Sequence, residues 1–250
     1  MSMSQWQFSG LEFQLLWDAV GRDRLPYPLR FRPHAETMTD LAQQRQRASE
    51  RLAVVLDERL HRTLEALAEP TVRVEVCGLT GQDVTRAHGV VVGGIGVLAV
   101  QLPGRQIDIG SDVTLSVGRA SELPRMIVDA LPQCSAGTGR GISVRQPKNL
   151  PGQGILSSAG DPRVAEELKR FFGRPRTSVG EIATYPGIAV DTRPTNDGIA
   201  FHWCDYASDG RYIVENGEII SARSASGKQI VEQISSGIAE VARRTVPARS

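Results

Sequence analysis

His202 and Cys204 are the pair in this sequence best placed to do chemistry. Residues two apart on a strand share a face, and a thiol beside an imidazole base is the core of a nucleophilic site. The pattern supplies no third group to orient the histidine, so packing and hydrogen bonding compete with catalysis as its explanation. The other histidines, His34, His61 and His88, are scattered, and none stands at metal-ligand spacing from another histidine or a carboxylate. Cys77, Cys134 and Cys204 are three in number, widely spaced and without a CxxC, which supports neither a zinc site nor a disulfide framework and fits reduced thiols. Gly137-Thr138-Gly139-Arg140-Gly141 resembles a phosphate loop but lacks the Gly-Lys-Ser/Thr ending, and it reads as a connection. Ser226-Gly227-Lys228 lacks the upstream glycine of a nucleotide loop and reads as a helix cap. There is no Gly-x-Ser-x-Gly elbow, and paired carboxylates such as Glu166-Glu167 fall on helix surfaces. The residues therefore disfavour an enzyme, and they assign no catalytic residue, no metal and no cofactor.

Composition narrows the classes further. The chain has 250 residues, 40% hydrophobic and 23% charged, which suits a globular protein with a sizeable core. A net charge of +1 gives no electrostatic case for nucleic acid or an anionic membrane. Met1 to Gln5 lacks the basic and apolar regions of a signal peptide, and the apolar run Gly89–Val100 is too short to span a bilayer. The expectation is a cytoplasmic protein without an anchor.

The elements that would position a site centre on Thr71–Val117. Thr71 to Val76 alternates apolar and polar residues as a half-buried strand does. Arg86–Val92 meets Gly93-Gly94, a two-residue hairpin signal, and Ile95–Leu102 runs back to Pro103-Gly104 and a further strand at Asp112–Val117. Before them come a helix from Leu11 to Val20 capped by Ser9 with Glu12, a short edge strand over Tyr27–Phe31, and one long helix from Thr39 to Ala68. After them come a helix ending at Leu131, a connection from Gln133 to Gly160 with one strand near Ile142–Val144, and a helix opened by Asp161-Pro162. Strands at Thr177–Tyr185 and Ile199–Tyr206 follow. Hairpins at Asp209-Gly210 and Asn216-Gly217 then lead to strands Arg211–Val214 and Glu218–Ala222, and Ser226 opens a helix through Val241. Each half reads helix, strand, loop, strand, turn, strand, turn, strand, helix. This order predicts an α+β fold with two look-alike halves, 1–132 and 161–250, joined by 133–160 into one domain of 1–250.

Several stretches are together similar to the EspG family. They are Phe8-Ser9-Gly10-Leu11-Glu12-Phe13-Gln14-Leu15-Leu16-Trp17, Leu25-Pro26-Tyr27-Pro28-Leu29, and Pro70-Thr71-Val72-Arg73-Val74-Glu75-Val76. His88-Gly89-Val90, Val97-Leu98-Ala99-Val100-Gln101 and Asp209-Gly210-Arg211-Tyr212-Ile213-Val214 continue the likeness, which is faint over Gln133–Gly160. The resemblance implies a cytosolic, non-enzymatic chaperone of an actinobacterial ESX, or type VII, secretion system. Such a protein binds a PE–PPE heterodimer at the hydrophobic helical tip of the PPE subunit. The implied fold is a central antiparallel sheet flanked by N- and C-terminal helical bundles with pseudo-twofold symmetry. The implied contacts fall on a loop at Leu79–Thr85 and on the last helix. Leu79 and Val84 are its apolar candidates, Thr80, Gln82 and Asp83 are polar ones, and Gln229, Gln233 and Ser236 lie on the helix. Weak self-association is left open, as is an α+β enzyme using His202 and Cys204 or a module for other helical partners.

Overall fold

The structure is a computed structural model and describes residues 3–145, 162–189 and 197–245. Among these residues ten strands form one antiparallel sheet. In chain order they are β1 (Ser4–Phe8), β2 (Val72–Thr80), β3 (Asp83–Val92), β4 (Ile95–Pro103), β5 (Gly110–Arg119), β6 (Ile142–Arg145), β7 (Arg176–Pro186), β8 (Ile199–Tyr206), β9 (Gly210–Glu215) and β10 (Ile219–Ser224). Six α-helices accompany them: α1 (Gly10–Ala19), α2 (Met38–Val55), α3 (Glu58–Ala68), α4 (Leu123–Asp129), α5 (Pro162–Phe172) and α6 (Gly227–Thr245). Across the sheet the strands lie in the order β1-β5-β4-β3-β2-β7-β8-β9-β10-β6. Replacing β1 to β5 by β6 to β10 reproduces that order from the other edge. Each half thus contributes an edge strand, helical cover, four meandering strands and a closing helix, and the repeated order of elements predicts all of these but the edge strand.

Local chemistry accounts for most boundaries. The Ser9 amide donates to the Glu12 carboxylate at 2.8 Å and the Glu12 amide donates to Ser9 Oγ, the reciprocal cap expected for α1. Gly93-Gly94 joins β3 to β4 with Val92 opposite Ile95. The single helix expected over Thr39–Ala68 is instead two. Leu56 and Asp57 adopt extended ψ values of 113° and 172°, and Asp57 Oδ1 accepts from the Leu60 amide at 2.7 Å. A short carboxylate that can satisfy an orphan amide favours the cap over the helix interior, so the apolar spacing runs through a break. The edge strand expected at Tyr27–Phe31 is also absent: the stretch turns, with the Leu29 amide donating to Pro26 O, and contains a cis Tyr27-Pro28 bond. The edge belongs to β1, which pairs with β5 from Ser4 opposite Val117 to Phe8 opposite Val113. β6 lies within the connection, near the strand expected there. The expected cap Asp161 lies outside the described residues.

Strand alternation sorts the core onto two faces. On one face, α4 and α6 cover the middle of the sheet, packing Leu123, Ile127, Ile230 and Ile234 on Val74, Val76, Ile182, Phe201, Trp203 and Ile213. There the Trp203 indole lies flat on Gly78 and Gly180, neighbours across β2 and β7; a Cβ at either glycine would come within 2.4 Å or less of the ring. On the other face, helical cover among the described residues sits only at the two ends. α1, α2 and α3 pack over β1, β5, β4 and β3, while α5 packs on β8, β9, β10 and β6. The expected flanking bundles are thus cover layers on a sheet, with α1 on α2 and α4 on α6 as the closest helix pairs.

Candidate functional site

Between those two covered ends, β2, β7 and the first part of β8 carry no helix among the described residues. The register lines their side chains into cross-strand rows. One row runs Arg86, Cys77, Glu181, His202; the next runs His88, Glu75, Ala183, Ala200; a third runs Val84, Leu79, Val179, Cys204. Leu79 and Ala200 are exposed, and Cys77, Glu75, Val179, Glu181 and His202 are half-buried. The strip is therefore a shallow floor that mixes apolar and ionisable groups.

The two carboxylates on it are each paired with a neighbouring side chain. His202 Nε2 lies 3.0 Å from Glu181 Oε2, and this bond holds the Glu181 carboxyl below its usual pKa against the opposing pull of burial. Arg73, almost fully buried, donates from Nε to Glu75 at 2.8 Å and from Nη1 to Pro186 O and Gly187 O, while its guanidinium lies 4.6 Å from the Tyr185 ring centroid. Burial raises the Glu75 carboxyl despite Arg73. The Tyr27 hydroxyl is pushed up to about 12, by burial first and then by the neighbouring Cys77. His88 is enclosed; its Nδ1 sits 2.7 Å from the Tyr27 carbonyl, which only accepts, so Nδ1 carries the proton. Burial pulls the His88 pKa down to about 4, so the ring is neutral at pH 7. A hollow of about 420 Å³ opens beside it, bordered by Trp17, Tyr27, Leu67, Arg73 and Ile188.

The catalytic alternative does not assemble. His202 and Cys204 share a face, as their spacing predicts, and Glu181 supplies the carboxylate beside His202 that the sequence did not show, so the thiol decides the matter. Cys204 is buried in the cluster under α5, and burial raises its thiol pKa, the opposite of what activates a nucleophile. All three cysteines are free. Among the described residues no group of three or more His, Cys, Asp or Glu could hold a metal ion, and no helix is long and apolar enough to cross a membrane. The glycine stretch at 137–141 already holds an anion. Asp209 Oδ1 accepts from the amides of Thr138 at 2.6 Å and Gly139 at 3.1 Å. Its Oδ2 accepts from Tyr212 at 2.6 Å and from Arg174 at 2.8 Å, and these bonds, the Tyr212 one foremost, keep its carboxyl well below the usual range. A side chain of this chain thus fills the place a phosphate would take.

The expected contact residues are only partly brought together. Leu79 is 41% exposed on the strip, and Gln82 and Asp83 are exposed beside it. The loop expected over Leu79–Thr85 is a two-residue turn, Gly81-Gln82, with Thr80 opposite Asp83 and Gly81 at φ 60°. Thr80 points to the other face and bonds Ser178, and Val84 is buried. Gln229 caps α6, its Oε1 accepting from the Ser226 amide at 2.8 Å. Gln233 bridges Arg223 and Glu215. Ser236 is exposed, but α6 lies on the face opposite Leu79. The Glu181–His202 pair went unread in the sequence because 21 positions separate residues that only the β7–β8 register makes neighbours.

The model of the EspG family matches residues 9–236. This chain belongs to the EspG family. Among solved structures, an EspG-family likeness extends to the Mycobacterium tuberculosis type VII secretion system chaperone EspG5, determined in complex with a PE25–PPE41 dimer. The two share 13% identity, and the match covers 98% of each chain with a TM-score of 0.57, a likeness of fold. No curated protein matches.

Proposed function

We propose that this EspG-family chain is a type VII secretion chaperone that binds a PE–PPE heterodimer through the PPE subunit, in the cytosol and without catalysis. The observation that carries the reading is the family match over residues 9–236. The uncovered strip of the sheet supplies a surface for it, with Leu79 as its apolar contact and Gln82 and Asp83 at its edge. An apolar helical tip left in water promotes aggregation, and covering it removes that area from solvent. A chaperone must also let go, which suits a strip of mixed polarity better than a greasy groove. Val84 is buried beside Leu79, Thr80 points to the opposite face, and Gln229, Gln233 and Ser236 on α6 would meet the partner only if it reached around to that face.

Co-expression with PE–PPE pairs from the same genome should give a soluble heterotrimer on size exclusion. Leu79 retains 41% of its exposure, so completing its burial contributes about 0.6–1.2 kcal/mol of the roughly 1.5–3 kcal/mol for a whole leucine. Leu79→Ala should therefore weaken the complex about three- to eightfold. Failure of every pair to co-elute overturns the reading, and unchanged affinity in the variant removes the strip from it.

A further inference from the structure

At the end of the Arg86–Cys77–Glu181–His202 row, Arg86 is only 4% exposed, yet its bonding is incomplete. Nη2 donates to Ile107 O at 2.5 Å, while Nη1 is shut from water and has no acceptor among the described residues. A buried cation with an idle donor is costly and calls for an oxygen that none of the described residues provides. Burial lowers the Arg86 pKa and Arg30 adds to that, while Cys77, Asp108 and Tyr27 are the other groups facing it and act in the opposite direction. Beside Arg86 opens a hollow of about 260 Å³, walled by Gln82 of the β2–β3 turn and Asp83 at the start of β3, by Pro103 at the end of β4, and by Arg105, Gln106 and Ile107 on the β4–β5 connection.

We infer that this hollow is a carboxylate pocket, in which an Asp or Glu side chain of the docked partner pairs with Arg86 while the exposed Arg105 draws it in. The inference rests on the proposed chaperone function for its occupant, but not for the pocket itself. Two features favour an acidic side chain of a bound protein. The planar fork of a guanidinium matches a carboxylate, and the hollow shares the Gly81-Gln82 turn with the strip on which Leu79 lies.

The pocket is tested on the full chain alone by titrating acetate, with chloride as the control, and following the Arg86 Nε–H resonance by NMR. A saturable shift confined to Arg86 and its neighbours is expected, and its absence overturns the pocket. The occupant is tested with a bound PE–PPE pair. Glutarate should weaken the wild-type complex, a measurement that needs no variant. Arg86→Gln should weaken it about tenfold or more, with Arg105→Gln following in the same direction. Circular dichroism checks the fold of Arg86→Gln; if it fails, Arg86→Lys, which keeps the charge and loses the fork, takes its place. Affinity unchanged by glutarate and by these variants overturns the partner as occupant. If wild type binds no pair, the chaperone reading falls, and the acetate titration alone then decides the pocket.

Discussion

His88 should make the protein acid-sensitive in a window set by one ring. It is 3% exposed, and its folded pKa is about 4 against an unfolded value near 6.5. Both causes that lower it, burial and the Arg73 charge, oppose protonation; only the Tyr27 carbonyl favours it. The folded state therefore binds fewer protons than the unfolded state between those two values. The stability that comes from keeping the ring neutral is complete above about pH 6.5 and drains away as the pH falls toward 4. A gap of 2.5 units corresponds to about 3 kcal/mol in full, of which roughly 2 kcal/mol is lost between pH 7 and pH 5. Urea denaturation at pH 7, 6 and 5 should show this in wild type. His88→Asn keeps a donor for the Tyr27 carbonyl and removes the titration, so its curve should be flatter by about the same 2 kcal/mol. The carboxylates common to both proteins cancel in the comparison. Equal slopes for the two proteins would refute the reasoning.

Gly180→Ala should cost about 1–3 kcal/mol, because its Cβ would sit 2.1 Å from the Trp203 ring and 2.6 Å from the Cys77 carbonyl; a melt checks it, and adding Trp203→Leu should recover only the part due to the ring. Arg211 donates from Nε and Nη2 to Asp205, each at 2.6 Å, with both side chains 3% exposed or less. Asp205→Asn or Arg211→Met alone should therefore cost about 3–5 kcal/mol in denaturant, while the double replacement by apolar residues should cost far less than the sum.

What could be read in the sequence was whatever depends on near neighbours. The Ser9–Glu12 cap, the Gly93-Gly94 turn, the hairpin signalled by Asp209-Gly210, whose turn is residues 207–209, and the matching order of the halves are all encoded within a few residues of where they act. The break at Asp57 escaped because leucine spacing continues across it, and β1 escaped because Ser4–Phe8 is a strand only by virtue of β5. The uncovered strip is harder still. Arg73, Glu75 and Glu181 read as the solvent side of ordinary strands, and only the placement of the helices shows which part of that side stays open. Arg86 reads as one more exposed strand cation, and its burial depends on the 104–109 connection folding over it.

The brevity of the Gly81-Gln82 turn has a kinetic consequence. Two residues pinned between paired strands cannot wrap around a guest, and they have little disorder left to surrender on contact. Capture at that corner should therefore follow a single bimolecular phase without a slow tightening step. On the proposed docking surface, the fit would then rest on the partner's shape and not on any rearrangement of the turn.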